Sequence, residues 1–421
     1  MERSVWTARM LSRLESNEEQ AKVWYSLMDK VYAAANLQNG FQAVWNNEGS
    51  AGTDGQTVVR FQAHVVSELA RLAEEWRTDR YRPRPARRVW IPKPGSPEQR
   101  PLGIPAVRDR VVQSALRHVM EPIFEREFAE HSYGFRPGRG CKDALRRVDA
   151  LLGSGHVWVV DADLKSYFDT IPHDRLMSLV KERIADGRVL ALLESYLHAG
   201  VLEELKGWQP TERGTPQGAV ISPLLANLYL NRLDHQMERA GWAMIRYADD
   251  FVILCRSEAE AHTALDAVRS WVNEAGLTLH PTKTRIVDAS VPGGFDFLGY
   301  HFERGMKWPR RKSLDKLRER LRAKTRRMDG RSLKEIIGGV NRTMKGWYAY
   351  FQHSKPTTFA YVDGWVRMRL RSILRWRRGG KGRGRGRDHQ KWTNQWFAKQ
   401  GLFTLEAAHE WTLITLKYRT H

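Results

Sequence analysis

The feature that most narrows what this chain can fold into is Tyr247-Ala248-Asp249-Asp250, entered through Met244, Ile245 and Tyr247 and left through Phe251-Val252-Ile253-Leu254. Two short β-forming runs around a polar pair read as a tight hairpin with adjacent carboxylates at its tip. A further acidic stretch, Asp161-Ala162-Asp163, follows the apolar run Val157-Trp158-Val159-Val160, which reads as a buried strand. If these strands are neighbours, three carboxylates converge. At ~4 Å and an effective dielectric near ~20, each such pair repels by about 4 kcal/mol, so the site calls for cations. Mg²⁺ suits it, being hard and octahedral and able to complete its shell with substrate phosphates. Two ions about 3.5–4 Å apart would activate a hydroxyl nucleophile and stabilise a departing pyrophosphate. Asp also favours ordinary turns, so the dipeptide needs the rest of the chain to give it meaning.

Around these strands the pattern is mixed. Helical spacing predicts a helical first stretch to about Asn39, then helices over Val59–Trp76, Arg110–Phe128, Cys141–Leu152, His173–Ala199, Pro223–Ala240 and Glu258–Ala275. The glycines and the Asp-Gly step in Gly49-Ser50-Ala51-Gly52-Thr53-Asp54-Gly55 mark a loop, and Val89-Trp90-Ile91 reads as an extended piece ending at Pro92-Lys93-Pro94-Gly95. From Ser313 onward the pattern is helical and rich in Arg and Lys. Between Arg367 and Lys391 eleven basic residues face one acid, Asp388, and Gly379–Arg387 alternates glycine with basic residues, which predicts a mobile loop.

The net charge of +21 over 421 residues points to a polyanionic partner, and nucleic acid is the usual one. The two cysteines, Cys141 and Cys255, exclude a disulfide framework and a Cys₄ or Cys₂His₂ zinc site, and they fit a reducing cytoplasm. The N-terminus has no signal-peptide core, and no apolar run is long enough to predict a membrane span.

In order along the chain, several segments resemble the reverse transcriptase family, specifically the bacterial group II intron-encoded reverse transcriptase/maturases. They are Gly52-Thr53-Asp54-Gly55; Trp90-Ile91-Pro92-Lys93-Pro94 with Arg100-Pro101-Leu102-Gly103-Ile104-Pro105; Ser132-Tyr133-Gly134-Phe135-Arg136-Pro137-Gly138-Arg139; and Asp163-Leu164-Lys165-Ser166-Tyr167-Phe168-Asp169. Gly214-Thr215-Pro216-Gln217-Gly218, Ser222-Pro223-Leu224-Leu225-Ala226-Asn227, the Tyr-Ala-Asp-Asp hairpin, Lys283-Thr284 and Phe297-Leu298-Gly299-Tyr300 continue the series. In the helical region, Val340–Phe351 and Trp365–Arg371 resemble the family's thumb, or maturase domain.

The resemblance implies an α+β right-hand polymerase, with mixed fingers and palm built on a ferredoxin-like sheet and an all-α thumb. It implies RNA-directed DNA polymerase activity with Asp163, Asp249 and Asp250 catalytic. Two Mg²⁺ ions would be held by these carboxylates and the Leu164 backbone carbonyl. The family's first-motif aspartate lies five residues before an aromatic, which selects Asp163, paired with Phe168, over Asp161. Asp161, on the same strand face, is left a supporting role.

Lys93 and Arg100 correspond to the fingers cations that grip the incoming triphosphate. Phe168 corresponds to the gate against a ribose 2′-hydroxyl, Gln217 to a nucleotide contact, and Lys283 to the lysine that protonates the leaving pyrophosphate. Phe297, Leu298, Gly299 and Tyr300 correspond to the primer grip. Arg342, Lys345, Arg367, Arg369 and Arg371, interleaved with aromatics, are the expected RNA-binding residues.

The expected division is fingers and palm over 1–305, a helical thumb/maturase domain over 306–378 and a basic tail over 379–421, without the endonuclease domain that some members carry. The expected partners are an RNA template, a DNA or RNA primer, the group II intron RNA and a DNA target, with no membrane. Splicing assistance and retrohoming are implied with them. Three rivals remain: a related polymerase co-opted for DNA repair or phage defence, a splicing factor whose polymerase is dispensable, and a simple RNA-binding protein.

Overall fold

The computed structural model describes Trp6, Met10, Ser12, residues 23–92 and residues 98–419, with the side chains of 416–419 left aside. Lys93 lies outside the described residues. The chain divides into two compact units, 1–151 with 160–286, and 152–159 with 287–421.

The first unit holds two four-stranded sheets. One has the order β2-β1-β4-β5. Here β1 (Ala86–Pro92) pairs antiparallel with β2 (Gln99–Ile104) and parallel with β4 (Val201–Glu203), which turns back into β5 (Gly207–Gln209). The other sheet has the order β6-β7-β3-β8, formed by β6 (Ala243–Tyr247), β7 (Asp250–Cys255), β3 (Trp158–Asp163) and β8 (Arg285–Asp288). In chain order this is a βαββαβ unit with its first strand inside, the expected ferredoxin-like palm. Val159, Val160 and Ala162 of β3 are buried, as are Phe251 to Cys255 of β7, so the strands that end at the acidic residues are the core of the sheet.

Helices cover these sheets: α1 (Ala34–Asn47), α2 (Val65–Arg77), α3 (Val107–Glu125), α4 (Cys141–Gly153), α5 (His173–Lys181), α6 (Gly187–His198), α7 (Ser222–Arg239) and α8 (Glu258–Glu274). α7 packs on β6 and α8 on β7. α3 is buried along almost its whole length against α1.

The helix expected over His173–Ala199 is two helices. Asp186 caps the second, its carboxylate accepting N–H bonds from Arg188 (3.0 Å) and Val189 (3.2 Å). The same carboxylate accepts from Leu27 (2.7 Å) and Met28 (2.9 Å), pinning the N-terminal segment. Burial pushes the Asp186 carboxyl up, but these four backbone bonds prevail and hold it below the ordinary range. The part of the expected helix to Asn39 that lies among the described residues from 23 on is likewise interrupted: Trp24 forms a bridge to Ile184, and helix follows in the short turn Met28–Val31 and in α1.

The second unit contains a three-stranded antiparallel sheet ordered β11-β10-β9, from β9 (Phe295–Phe297), β10 (Tyr300–Glu303) and β11 (Met306–Pro309). It is followed by α9 (Arg311–Lys324), α10 (Leu333–Phe351), α11 (Thr357–Trp376), α12 (Arg387–Lys391), α13 (Asn394–Lys399) and α14 (Leu405–Arg419). α10 opens on a full capping box between Ser332 and Glu335.

Residues after 379, expected as a tail, belong to this unit's core. Trp392, Phe397, Leu402 and Leu405 are buried with Leu321, Val340, Phe359 and Leu370. Each such apolar side chain stabilises by roughly 1.5–3 kcal/mol, which is what holds the segment down. The Gly-Arg run is also fixed to the helices. Arg375 Nε donates to the Lys381 carbonyl (2.9 Å), Ser372 Oγ to the Gly382 carbonyl (2.9 Å), and Arg375 pairs with Asp388 (2.6 Å). No described helix is long and apolar enough to cross a membrane.

Candidate active site

The β6–β7 hairpin closes through a two-residue turn, Tyr247 pairing with Asp250 across Ala248-Asp249. Ala248 takes φ +60°, the left-handed backbone that a hairpin of this length needs at its first central residue. Asp249 therefore sits on the turn, and Asp250 opens β7. Asp163 ends β3, the strand next to β7. Its carbonyl accepts from the His280 N–H (2.7 Å), and the Lys165 N–H donates to Thr278 (2.8 Å). Leu164, bridged to Leu279, thus keeps its own carbonyl out of these ladder bonds.

Burial pushes the Asp249 carboxyl above its ordinary range, and the nearby Asp163 charge pushes the same way. Its own backbone N–H, Arg100 and Lys283 pull it back. Lys283 Nζ meets Asp163 Oδ2 at 2.5 Å, and Arg285 Nε meets Asp161 Oδ2 at 3.2 Å. Asp163, Asp249, Arg100 and Lys283 are thus brought together from four separate segments. Asp161 stands beside them in an ion pair of its own.

Of the three expected carboxylates, Asp163 and Asp249 act on each other electrostatically, and Asp250 follows Asp249 at the start of β7. Among the described residues, no three Asp, Glu, His or Cys side chains are grouped closely enough to hold a metal ion. The donor set nonetheless suits a divalent cation. Two carboxylates and a free-standing carbonyl are hard oxygen ligands, and the repulsion between Asp163 and Asp249 favours a cation at the site.

Phe168 lies in the short helix Tyr167–Thr170, half-buried, with its ring edge-on to Phe135 (6.3 Å) and Tyr167 (5.6 Å). The 214–218 loop is pressed against this turn. Gly214 N–H donates to Ile171 and Thr215 N–H to Phe168, both at 2.7 Å. A Cβ on Gly214, at φ +80°, would come within 2.6 Å of the Phe168 carbonyl, so only glycine fits. Gln217 Nε2 donates to Asp169 Oδ2 (3.1 Å), while its carbonyl accepts from the Gly103 N–H (2.7 Å). Beside them lies a cleft of about 490 Å³ lined by Arg88, Trp90, Pro101, Asp169, Arg213 and Pro216 among others.

Sequence reasoning quoted Asp169 and Phe135 inside motifs without giving either a role. Phe135 is 50 % exposed beside the expected gate at φ +60°. A bulky residue in that backbone region is the signal, and it shows only in three dimensions.

In the second unit, Phe297 and Tyr300 are buried and paired across a two-residue turn, Leu298 (φ +46°) and Gly299 (φ +85°). Tyr350 Oη donates to the Leu298 carbonyl (2.7 Å) and Tyr300 Oη to the Tyr350 carbonyl (2.8 Å). The expected primer grip is thus a rigid hairpin tied to α10.

The expected RNA-binding residues separate. Arg342 and Lys345 are exposed on α10. Arg371 is 6 % exposed, donates to the Trp392 carbonyl (2.8 Å) and Asn394 Oδ1 (3.0 Å), and lies 5.3 Å over the Phe397 ring. Arg369 donates to Thr325 Oγ1 and O, both at 2.7 Å, and Arg367 lies 3.9 Å from Glu406. Arg371 therefore does not face RNA. It is spent inside the helical unit because α12 and α13 fold over it.

A βαββαβ palm whose first strand and central hairpin present opposed carboxylates, ringed by cations, is the architecture of a template-directed nucleic-acid polymerase. The chain matches the reverse transcriptase (RNA-dependent DNA polymerase) family over residues 91–302 and the group II intron maturase-specific domain over 314–392, and it belongs to the reverse transcriptase family. It is 37 % identical over 290 residues to protein YkfC of Escherichia coli (strain K12), covering 60 % of this chain and 76 % of YkfC. It is 35 % identical over 237 residues to the group II intron-encoded protein LtrA of Lactococcus lactis subsp. cremoris, covering 54 % of this chain and 38 % of LtrA. The aligned part is thus well under half of that longer protein. Among solved structures it resembles a partial Cas6-RT-Cas1–Cas2 complex at 25 % identity, TM-score 0.36, over 59 % of this chain and 41 % of that one, a likeness too loose to bear on function.

Proposed function

We propose that this protein copies RNA into DNA, and that it binds a group II intron RNA to assist its splicing and its retrohoming into a DNA target, in the bacterial cytoplasm. The observation that carries the polymerase half is the facing pair Asp163 and Asp249, held at a strand end and a hairpin turn with Arg100 and Lys283 beside them. The maturase half rests on the match over 314–392 and on the basic exposed face that includes Arg342 and Lys345.

Asp163, Asp249, Asp250 and the Leu164 carbonyl would hold two Mg²⁺ ions. When bound, the ions lower the pKa of the primer 3′-hydroxyl and neutralise the pyrophosphate. The chain's own residues do the rest. Arg100 offers a bidentate fork to the incoming triphosphate, with Lys93 as the second fingers cation. Phe168, braced by Tyr167 and Phe135, fills the space a ribose 2′-hydroxyl would need. Gln217, fixed by Asp169, lines the nucleotide pocket. Lys283, already on Asp163, is in reach to give its proton to the leaving pyrophosphate. The Phe297–Tyr300 hairpin holds the primer. We place fingers and palm in 1–305, the thumb/maturase domain in 306–378 and the basic C-terminal region in 379–421.

Primer extension on RNA and DNA templates in Mg²⁺ tests the polymerase. Full-length complementary DNA from an RNA template is expected. No extension on either template, from protein that still binds primer–template, would refute it.

A further inference from the structure

Arg246, on β6 one residue before Tyr247, is the largest side chain buried to this degree among the described residues, at 1 % exposed. All five of its N–H donors are used. Nε and Nη2 grip the two oxygens of Asp234 on α7 at 2.7 and 2.5 Å. Nη2 also donates to Ser132 Oγ (2.7 Å), and Nη1 to Asn227 Oδ1 (2.9 Å) and to the Ala248 carbonyl (2.9 Å). The last of these reaches the turn that carries Asp249.

The turn is held from its other side as well. Tyr133 N–H donates to the Arg246 carbonyl (2.9 Å), and Asn227 Nδ2 donates to the Gly134 carbonyl (2.7 Å). Gly134 lies so close that a Cβ there would fall 2.2 Å from Ala248 N. Ala248 is therefore fixed between a guanidinium at its carbonyl and a glycine backbone at its N–H side, in a left-handed conformation that residues with a side chain adopt only at a cost. A buried ion pair such as Arg246–Asp234 is a poor way to gain stability compared with apolar packing. Its geometry, however, does what no apolar side chain can. Only a planar five-donor fork chelates one carboxylate and still points two N–H groups at Asn227 and Ala248.

We propose that Arg246 is a positioning residue of the polymerase site: held by Asp234, Asn227 and Ser132, it orients the Ala248–Asp249 peptide and so aims the Asp249 carboxylate for metal. This inference rests on the reading of Asp249 as a metal ligand. Arg246→Lys keeps the charge but cannot make all these bonds at once. Loss of such an outer partner typically weakens metal affinity or activity by roughly 10–100-fold.

The full-length parent and Arg246→Lys are compared in two ways. Mn²⁺ binding to substrate-free protein is measured by electron paramagnetic resonance, and single-nucleotide incorporation is followed as Mg²⁺ is raised. We expect Mn²⁺ affinity to fall and half-saturating Mg²⁺ to rise by about 10-fold or more, with dNTP affinity within about 2-fold of the parent. A merely structural role would lower the folded fraction and leave both metal constants unchanged; parent-like metal constants in folded Arg246→Lys overturn the proposal. Should that variant not fold, Ser132→Ala, which frees one side of the guanidinium and leaves the Asp234 pair in place, decides by the same Mn²⁺ titration. A weaker Mn²⁺ constant supports the proposal, and an unchanged constant overturns it. A parent that binds Mn²⁺ but extends no primer would refute the polymerase reading while leaving this comparison intact.

Discussion

Replacing Asp249 with asparagine tests the site through stability as well as activity. The carboxylate is half-buried, and its folded pKa lies above the ordinary value through loss of solvent and the charge of Asp163. The sign follows from linkage. A carboxyl whose pKa is raised in the folded state binds protons more tightly there than when unfolded. Across the window between the ordinary value and the raised one, stability therefore falls as pH rises. At neutral pH, without metal, the ionised Asp249 is a net cost to folding. Asp249→Asn removes that charge while keeping shape, so the metal-free variant should be more stable than the parent. Gains from such relief are about 0.5–2 kcal/mol. For a domain of this size that is ~1–8 °C in Tm. Mg²⁺ should reverse the order, because a ligand at ~100 times its Kd stabilises the parent by about 2.7 kcal/mol and the variant much less. The assay is differential scanning fluorimetry at pH 7 with EDTA and then with Mg²⁺, beside primer extension and RNA binding. Extension should be abolished and RNA binding kept. A variant that melts below the parent in EDTA, or still extends primers substantially in Mg²⁺, would refute the assignment of Asp249 as an uncompensated metal ligand.

Other expectations follow from the same geometry. Phe168→Ala should raise rNTP incorporation relative to dNTP by about 10- to 100-fold in single-nucleotide kinetics, and an unchanged ratio would make Phe168 a plain core ring. Arg342→Gln with Lys345→Gln should lower the slope of log affinity for RNA against log salt by about 1.4–1.8 with little change in Tm. Arg371→Gln should do the reverse, holding the slope and costing roughly 1–3 kcal/mol as the Trp392 and Asn394 acceptors lose their donor. Asp186→Asn should destabilise the protein by about 1–3 kcal/mol in urea melts, through the N–H groups of Leu27, Met28, Arg188 and Val189. Because the Asp186 carboxyl is held low, its contribution is present above the ordinary pKa and lost only as pH falls through the depressed value.

Much of the fold was legible because the palm's strands carry their burial in the sequence. The run before Asp163 and the runs around Asp249-Asp250 are apolar on both faces, and the structure buries them as the centre of one sheet. The helices over 107–125, 222–239 and 258–274 fall within a few residues of their periodic signals. What periodicity could not show was interruption by a tertiary partner. After the helix ends at Lys181, residues 183–185 pair with Trp24 from far earlier in the chain, and Asp186 then caps the next helix. The C-terminal region misled for a related reason. Its Gly-Arg composition cannot bury apolar surface by itself, but Trp392, Phe397 and Leu405 beyond it can, and they draw the run in with them.

The site was legible as residue types and not as a charge balance. Asp163, Asp249, Lys283 and Arg100 were each marked by their motifs, and the structure brings them together, but their pairing depends on distances that sequence order does not encode. The same limit governs the arginines. In the sequence, Arg246, Arg342 and Arg371 are alike: basic residues within two positions of aromatic or apolar ones. In the structure Arg246 spends every N–H on the scaffold of the metal hairpin, Arg371 spends its own on α11 to α13, and Arg342 is exposed to solvent. A net charge of +21 therefore overstates the charge available to RNA, because each guanidinium enclosed with its acceptors is withdrawn from the surface. The salt dependence of RNA binding should follow the exposed arginines and lysines and not the total.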